Sequence, residues 1–222
     1  MVNRGPFAAD EWYHCFNRGI DKRDVFTDEH EHRRFLHLLY ACNSNTPVHL
    51  SNLPKMSDEE IFMLPRGGQL VAVGAYCLMP NHFHLLLKPL GDGGITGFMR
   101  KVMTAYTMYF NIKHERTGNL LNKPFRSKHV YDDRYFQYVI RYIHCNPAEL
   151  YEPGWKRGQV SDPTLLASNL RDYPYSSLSS FVKPRFDDPI LHPCVLEAYE
   201  DPNVDDMIAD AIEYGQEHSL SR

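Results

Sequence analysis

Two β-rich apolar runs follow one another in this chain with only a proline and an asparagine between them. The runs are LVAVGAYCLM at 70–79 and HFHLLLKPL at 82–90, and Pro80–Asn81 is a turn signal. Strands joined by so short a connection pair antiparallel, because a parallel pair needs a long crossover. The sequence therefore predicts an antiparallel hairpin near the middle of a sheet.

Other elements are predicted from periodicity and from end signals. Residues 12–18, WYHCFNR, alternate as a strand that Gly19 ends, and 48–53, VHLSNL, is a second possible strand. Helices are expected at 27–43, capped by Thr27 or Asp28, at 95–116, and at 132–146, where Pro147 stops the helix. The stripe expected on the longest helix consists of Phe98, Val102, Ala105, Tyr109 and Ile112.

This order of elements favours an α+β fold, with one antiparallel sheet and helices packed on one face. Residues 54–69 look like a loop with one helical turn at 57–63, and 117–130 like a basic loop that enters a short strand. We expect one domain at 1–150. Residues 151–222 would form a C-terminal extension that wraps this domain, is acidic after 186 and ends in a weak helix at 203–217.

The charge is unevenly distributed, although the net value is only −4. Residues 186–221 hold ten acids and no Lys or Arg, whereas 98–141 holds nine basic residues against three acids. Such a local excess indicates either a phosphate-binding face or an ordinary solvated helix surface. We expect contacts to nucleic-acid phosphates from Arg100, Lys101, Lys113, Lys123, Arg126 and Lys128.

The cellular setting is inferred from what the sequence contains. Five scattered cysteines without a CxxC pair are typical of reduced thiols, and they argue against an all-cysteine zinc site. The chain has no apolar run of 18 residues and no apolar segment of the signal-peptide type near Met1. We therefore expect a cytoplasmic, nucleoid-associated protein without a membrane partner.

His82 and His84 stand two apart in a strand, so both imidazoles project from the same face. Such a pair can bind one divalent cation, or it can consist of two ordinary core histidines. The chain has 12 histidines, and about one such pair arises by chance. His30 and His32 show the same spacing, but on a helix their side chains diverge.

A cation bound by two histidines needs a further ligand, and the second amphipathic helix offers one. In RYIHCNP, 141–147, Tyr142 and Asn146 are four apart and share a helical face, opposite the stripe Phe136, Val139, Ile140 and Ile143. An Asn oxygen suits Mg²⁺ or Mn²⁺, and a nearby tyrosine can act as a nucleophile. Asn146 precedes a proline, which biases its backbone away from the helix.

Several aromatic residues have alternative interpretations. Tyr106 is the more credible rival nucleophile, whereas Tyr109 lies on the predicted apolar stripe. Tyr13, Phe16 and Phe125 could stack on unpaired bases, although core packing is the commoner role of such residues.

MPNHFHLLL at 79–87, followed downstream by YIHCNP at 142–147, resembles the single-tyrosine HUH transposases. The sequence is most similar to the group of REP-associated tyrosine transposases. The further motifs that match, in the same order, are Tyr13 to Arg18 with Gly19, YTMYFN at 106–111, GNLLNKPFRSKHV at 118–130 and DYPYSSL at 172–178. The likeness covers about 11–180; 54–69 is longer than usual and 186–221 has no counterpart.

The resemblance implies a ferredoxin-like fold whose catalytic domain is residues 1–150. It implies cleavage and rejoining of single-stranded DNA near hairpins through a 5′-phosphotyrosine. His82, His84 and Asn146 would bind Mg²⁺ or Mn²⁺, and Tyr142 would be the nucleophile. The partner would be single-stranded or hairpin DNA, and the protein a monomer or homodimer.

Two other functions stay open at this point. The basic 98–141 region suits a non-catalytic, hairpin-binding regulator equally well. A metal hydrolase acting on small molecules is also conceivable, but no HExxH motif and no added carboxylate beside the HxH supports it.

Overall fold

The structure, a computed structural model, describes residues 7–46, 53, 55–182, 187–199, 203–204 and 206–210. Its strands are β1 Trp12–Arg18, β2 Val71–Met79, β3 His82–Pro89 and β4 Arg126–Val130. Its helices are α1 Glu29–Ala41, α2 Asp58–Phe62, α3 Gly94–Lys113, α4 Asp133–Cys145, α5 Ala148–Tyr151, α6 Pro163–Asp172 and α7 Leu178–Val182. Short 3₁₀ turns occupy Ile20–Lys22, Trp155–Arg157 and Pro193–Val195.

The four strands form one antiparallel sheet in the order β2-β3-β1-β4. This order, with α1 leading from β1 to β2 and α3 from β3 to β4, is the ferredoxin-like arrangement. The predicted α+β class and the hairpin are confirmed. The hairpin is not central as a unit, however, because only β3 lies inside the sheet and β2 lies at its edge.

The edge strand β2 is covered by the chain that follows α6. Leu78 N–H donates to the Tyr175 carbonyl at 2.9 Å, Ser177 N–H to the Tyr76 carbonyl at 3.0 Å, and His192 N–H to the Val73 carbonyl at 2.8 Å. These bonds occupy backbone groups that an exposed edge would offer to another chain. The DYPYSSL motif therefore lies along the sheet, while the domain boundary at 150 stays a prediction.

One face of the sheet packs on α1 and α3, as the sequence predicted for its helices. Phe83, Leu85 and Leu87 project from β3 into this core, together with Phe35 of α1 and Phe98 of α3, and all five are fully buried. Asp28 caps α1 by accepting the Glu31 N–H at 2.9 Å. The turn expected at 57–63 is α2, which starts with a capping box between Ser57 and Glu60.

The apolar stripe predicted for α3 is confirmed for Phe98 and Val102, is partly buried at Ala105 and Tyr109, and was wrong for Ile112. The buried residues are Gly94, Ile95, Phe98, Met99, Val102, Tyr106 and Phe110, whereas Ile112 is 78% exposed. Apolar residues occur around much of this helix, so after Val102 a stripe through Tyr106 and Phe110 satisfies a helical period as well as one through Tyr109 and Ile112. Tyr106 fits the buried phase because its hydroxyl donates to the buried Val25 carbonyl.

The opposite face of the sheet packs on α4. The sequence predicted helices on one face only, so this second helical layer is an addition to the prediction. Phe136, Val139, Ile140 and Ile143 form the buried face of α4, which confirms the predicted stripe, and they lie against Ala75, Cys77 and Leu86. Every position of β2 is buried, so both of its faces need a cover. His82 and His84 lie on this second face.

Some expectations fall largely outside the described residues. Of the strand expected at 48–53 only Leu53 is described, and it lies in a 3₁₀ turn. Of the helix expected at 203–217, residues 204 and 206–210 are helical. Within the described ranges, no helix is long and apolar enough to cross a membrane.

Candidate metal and nucleophile site

His82 and His84 begin β3 and lie on the face that packs on α4. Their ring centroids are 5.1 Å apart and the rings are nearly perpendicular. In the sheet His82 is paired with Arg18 and His84 with Phe16, so these two β1 side chains flank the histidines. The structure therefore places both imidazoles side by side, as the two-residue spacing predicts.

Both imidazoles are neutral at neutral pH. Burial, followed by the positive charges of Arg18 and Lys156, lowers the pKa of His82 to about 4, and a side-chain hydrogen bond with Asn146 opposes this shift. Burial lowers the pKa of His84 well below the usual value, with His14 and His82 contributing. Neutral imidazoles keep the lone pair that a metal ion needs.

Helix α4 brings Tyr142 and Asn146 to the two histidines. Asp132 caps this helix by accepting the Tyr135 N–H at 2.6 Å. The Tyr142 ring stands edge-on to His84, with centroids 5.7 Å apart, and edge-on to His14 at 6.0 Å. Asn146 is 1% exposed, and its side-chain amide donates to the Tyr142 carbonyl at 2.7 Å.

The backbone of Asn146 departs from the expectation for a residue before proline. It stays helical, with φ −55° and ψ −37°, and the chain continues through Pro147 into α5. The Asn146 carbonyl accepts the Glu149 N–H at 3.1 Å, which offsets the steric bias. This continuity keeps Asn146 on the same helical face as Tyr142.

The donor set fits a divalent cation. His82 Nδ1 lies 2.6 Å from Asn81 Oδ1, and His84 Nδ1 lies 2.8 Å from His14 Nε2, so the Nε2 atoms are the ones that a cation could take. The side chain of Asn146 hydrogen-bonds to the His82 ring, and a cation between the two would replace that bond. The amide nitrogen of Asn146 is engaged by Tyr142, so its oxygen is the donor that could bind a cation. No group of three or more His, Cys, Asp or Glu side chains that could hold a metal occurs among the described residues.

The rival tyrosine on α3 is excluded by its position. Tyr106 is fully buried on the other face of the sheet, and burial raises the pKa of its phenol far above the usual value. Tyr109, expected in the core, is only partly buried on the same helix. Both residues belong to the layer behind the sheet and cannot reach the histidines.

The His30–His32 pair does not form a site, as its helical spacing indicated. His32 stacks on Tyr175 with ring centroids 3.8 Å apart. Its Nδ1 lies 2.8 Å from the Asp28 carbonyl. Glu31 between them accepts from Lys113, at 2.8 Å, and from His114, at 2.6 Å, so this cluster has a structural role.

The six predicted phosphate contacts divide between the two sides of the sheet. Arg126 pairs with Phe16 and Lys128 with His14 across β1 and β4, so both project on the histidine face. Lys123 is exposed in the loop after Asn122, whose N–H donates to the Arg18 carbonyl at 3.0 Å.

The other three predicted contacts lie on α3, behind the sheet. Lys113 is bound to Asp28 and Glu31, and Lys101 donates to the Ser44 carbonyl at 2.7 Å. Arg100 is exposed on that side. The structure thus does not bring these residues to the histidines, because α3 covers the opposite face.

The three aromatic residues that could stack on bases lie on different faces of the sheet. Tyr13 and Phe125 are buried in the core beneath α1 and α3, where Phe7 contacts both rings. Phe16 is partly exposed on the histidine face and stacks on His84 with centroids 5.6 Å apart. Only Phe16 lies where a base at the site could meet it.

Sequence reasoning missed His14, Arg18 and Lys156. His14 lies beside His84, and burial, followed by the charge of Lys128, lowers the pKa of His14 to about 3. The alternation of β1 places His14, Phe16 and Arg18 on one face, which was the available signal. Their position beside β3, however, depends on a register between strands that are far apart in sequence.

Comparisons with known proteins give one informative result. No family model matches the chain, and no curated protein matches it either. A solved structure of a REP-associated tyrosine transposase bound to a REP hairpin is similar over 82% of this chain and 84% of that one, with a TM-score of 0.52 and 15% identity. At this identity the two proteins share a fold, and the resemblance inferred from motifs is supported at that level.

Proposed function

We propose that this protein is a metal-dependent DNA transesterase that cleaves and rejoins single-stranded DNA beside hairpins. The observation that carries the proposal is the convergence of His82, His84, Tyr142 and Asn146 from β3 and α4 on one face of the sheet. The fold shared with a transposase that was solved bound to a REP hairpin supports the DNA substrate.

In this proposal His82, His84 and Asn146 hold Mg²⁺ or Mn²⁺. The bound cation would withdraw charge from the scissile phosphate and so favour nucleophilic attack on it. The neutral state of both imidazoles supports this role, because a protonated ring cannot coordinate. Arg18 and Lys156 add positive charge near the histidines, which favours an anionic substrate there.

Tyr142 would carry out the covalent step. Its phenolic oxygen attacks phosphorus and forms the P–O bond of a 5′-phosphotyrosine, while the P–O3′ bond breaks. The phenolic proton leaves, and the departing 3′ oxygen gains one and becomes a hydroxyl. A second 3′-hydroxyl can reverse the step, so rejoining needs no added energy source.

The DNA backbone would lie along the histidine face. Arg126 and Lys128 line the β4 side of this face, and Lys123 is exposed in the loop that precedes β4; their charges would neutralise phosphates near the site. Phe16, beside His84, would stack on an unpaired base. Arg100, Lys101 and Lys113 are not part of this path, because they lie on α3.

The test is capture of the covalent adduct. The full chain is incubated with Mn²⁺ and a pool of hairpin oligonucleotides whose single-stranded flanks are randomised, since the target sequence is not known. We expect a denaturation-resistant protein–DNA adduct that maps to the Tyr142 peptide by mass spectrometry. Tyr142→Phe should abolish it.

Tyr138→Phe is the matched control, because Tyr138 lies one turn earlier on α4 and also loses only a hydroxyl. It should keep the adduct. An undiminished adduct in Tyr142→Phe would refute the assignment of the nucleophile. Salt-dependent hairpin binding without any adduct, in Mn²⁺ or Mg²⁺, would instead support the non-catalytic regulator.

A further inference from the structure

His14 and His84 share a hydrogen bond between neighbouring strands. His14 Nε2 and His84 Nδ1 are 2.8 Å apart, and the rings stack with centroids 5.0 Å apart and an interplanar angle of 27°. His14 is 3% exposed and His84 6%. Because both nitrogens are buried, a single proton lies between them, and little water is available to replace either partner.

The position of that proton decides whether His84 can bind a cation. A neutral imidazole has one N–H and one lone pair. If His84 carries its proton on Nδ1 and donates it to His14, the lone pair is on Nε2. If His14 donates instead, His84 Nε2 carries the proton and cannot coordinate.

His82 has a hydrogen-bond acceptor at the same ring nitrogen, and this acceptor is a side-chain amide. His82 Nδ1 lies 2.6 Å from Asn81 Oδ1, and an amide oxygen only accepts hydrogen bonds. His82 would therefore carry its proton on Nδ1 when a cation takes Nε2 in place of the hydrogen bond with Asn146. His84 has no amide at that place, and His14 is its partner there.

His14 has no competing side-chain bond among the described residues. Its other ring nitrogen, Nδ1, is buried and without a hydrogen-bond partner in that part of the chain. A buried polar side chain whose one bond goes to a neighbouring histidine is costly for stability, because its second polar atom is left unsatisfied. An apolar residue would serve packing better, which points to a role in the site. Either direction of the shared bond leaves Nδ1 of His14 unsatisfied, so this atom does not set the direction. A cation on His84 would set it, because only His84 protonated on Nδ1 can bind a cation through Nε2.

We propose that His14 is a positioning residue that accepts the Nδ1 proton of His84 and thereby keeps the Nε2 lone pair of His84 available for the divalent cation. The inference rests on the proposed function for the role of His84. It goes further by assigning to β1 a residue that controls the state of a ligand on β3. His14 itself then carries its proton on Nδ1 and touches neither cation nor DNA.

The decisive experiment reads the tautomer in the metal-free protein. Long-range ¹H–¹⁵N NMR of the imidazole rings distinguishes a protonated from an unprotonated Nε2 at neutral pH. In the unaltered protein His84 should carry its proton on Nδ1. His14→Leu should shift the proton of His84 to Nε2 in a large share of molecules, and His14→Gln should keep it on Nδ1, because the Gln amide oxygen can accept from nearly the same place.

Phe16→Leu is the control for packing, since the Phe16 ring contacts both imidazole rings but makes no hydrogen bond to either. It should leave the tautomer of His84 unchanged. The proposal is overturned if His84 carries its proton on Nε2 in the unaltered protein, or if His14→Leu leaves the tautomer unchanged. If His14→Leu does not fold, the tautomer of His84 in the unaltered protein and in His14→Gln still tests the proposal.

A second measurement separates this proposal from the proposed function. Titration with Mn²⁺ alone, followed by electron paramagnetic resonance, should give an affinity about 10- to 100-fold weaker for His14→Leu. His14→Gln should stay within about threefold of the unaltered protein, by the same reasoning. Absence of Mn²⁺ binding by the unaltered protein would overturn the metal site but not the tautomer assignment. Equal affinities in all variants would overturn the role of His14.

Discussion

The side-chain amide of Asn146 donates a hydrogen bond to the backbone carbonyl of Tyr142, at 2.7 Å. This bond fixes the amide plane, so that the nitrogen is engaged within the helix, while the side chain also hydrogen-bonds to His82. One turn of α4 thus carries both the candidate nucleophile and the candidate third ligand. Because Asn146 stays helical before Pro147, the two groups keep this relationship.

Removal of the amide oxygen should weaken metal binding more than it weakens the fold. We expect Asn146→Ala to reduce Mn²⁺ affinity by at least about tenfold, comparable to the loss of a supporting group around a metal. Asn146→Asp keeps an oxygen donor at the same place and should bind Mn²⁺ at least as well as the unaltered protein. Calorimetric titration measures both, and equal weakening in Ala and Asp variants would exclude Asn146 as a ligand.

The two groups of basic residues should differ in the salt dependence of DNA binding. Each phosphate contact contributes roughly 0.7 to the slope of log affinity against log salt for single strands. Arg126→Ala and Lys128→Ala, on the histidine face, should each lower the slope by about this amount. Arg100→Ala, exposed on α3, should leave it unchanged.

Binding of a hairpin oligonucleotide over a range of salt concentrations, measured by fluorescence anisotropy, decides this prediction. Arg100→Ala and Arg126→Ala remove the same side chain from opposite sides of the sheet, so they form a matched pair. If Arg100→Ala lowered the slope and Arg126→Ala did not, the DNA would lie on the side of the sheet that α3 covers.

The buried hydroxyl of Tyr106 should matter for stability and not for the covalent step. Tyr106→Phe leaves the Val25 carbonyl without this donor in the core, which should cost about 1–3 kcal/mol in the free energy of unfolding. Urea denaturation measures the loss, and the adduct assay should still give a product. Loss of the adduct in a folded Tyr106→Phe protein would reopen Tyr106 as the nucleophile.

Much of the site could be predicted from the sequence because its spacing is local. A spacing of two residues along a strand places His82 beside His84, and a spacing of four residues along a helix places Tyr142 beside Asn146. The same local rules predicted the hairpin and the stripe of α4. What brings the two pairs together is the packing of α4 on the sheet, which the resemblance implied but the spacing did not.

The features that could not be predicted depend on long-range register. His14 meets His84 because β1 and β3 pair with Cys15 opposite Leu85, a match between segments about 70 residues apart. Lys113 was expected to meet phosphates, but it meets Asp28 and Glu31 of α1. The second half of α3 was ambiguous, since its apolar residues fit two stripes and the choice depends on long-range packing, which buries Tyr106 and Phe110.

Glu31 provides a pH-dependent test of the packing of α1 on α3. Burial raises the pKa of this carboxyl, but hydrogen bonds from Lys113, Thr27 and His114 outweigh burial, so the net shift is downward. A carboxyl whose pKa is lower in the folded than in the unfolded state stabilises the fold above its unfolded pKa, and this stability is lost as pH falls through the folded pKa. The contribution of Glu31 should therefore be complete at pH 7 and should decline below about pH 4, near the usual value for Glu.

Glu31→Gln should destabilise the protein by about 2 kcal/mol at pH 7, because a neutral amide replaces a fully buried carboxylate that accepts charge-assisted hydrogen bonds from Lys113 and His114. The difference from the unaltered protein should shrink as the pH is lowered toward 3, since the native carboxyl then gains a proton and also becomes neutral. Glu29→Gln, on the same helix but exposed, is the matched control and should show little effect at any pH. Urea unfolding across this range measures both differences, and a Glu31 effect that stayed constant with pH would mean that the charge of Glu31 does not hold α1 to α3.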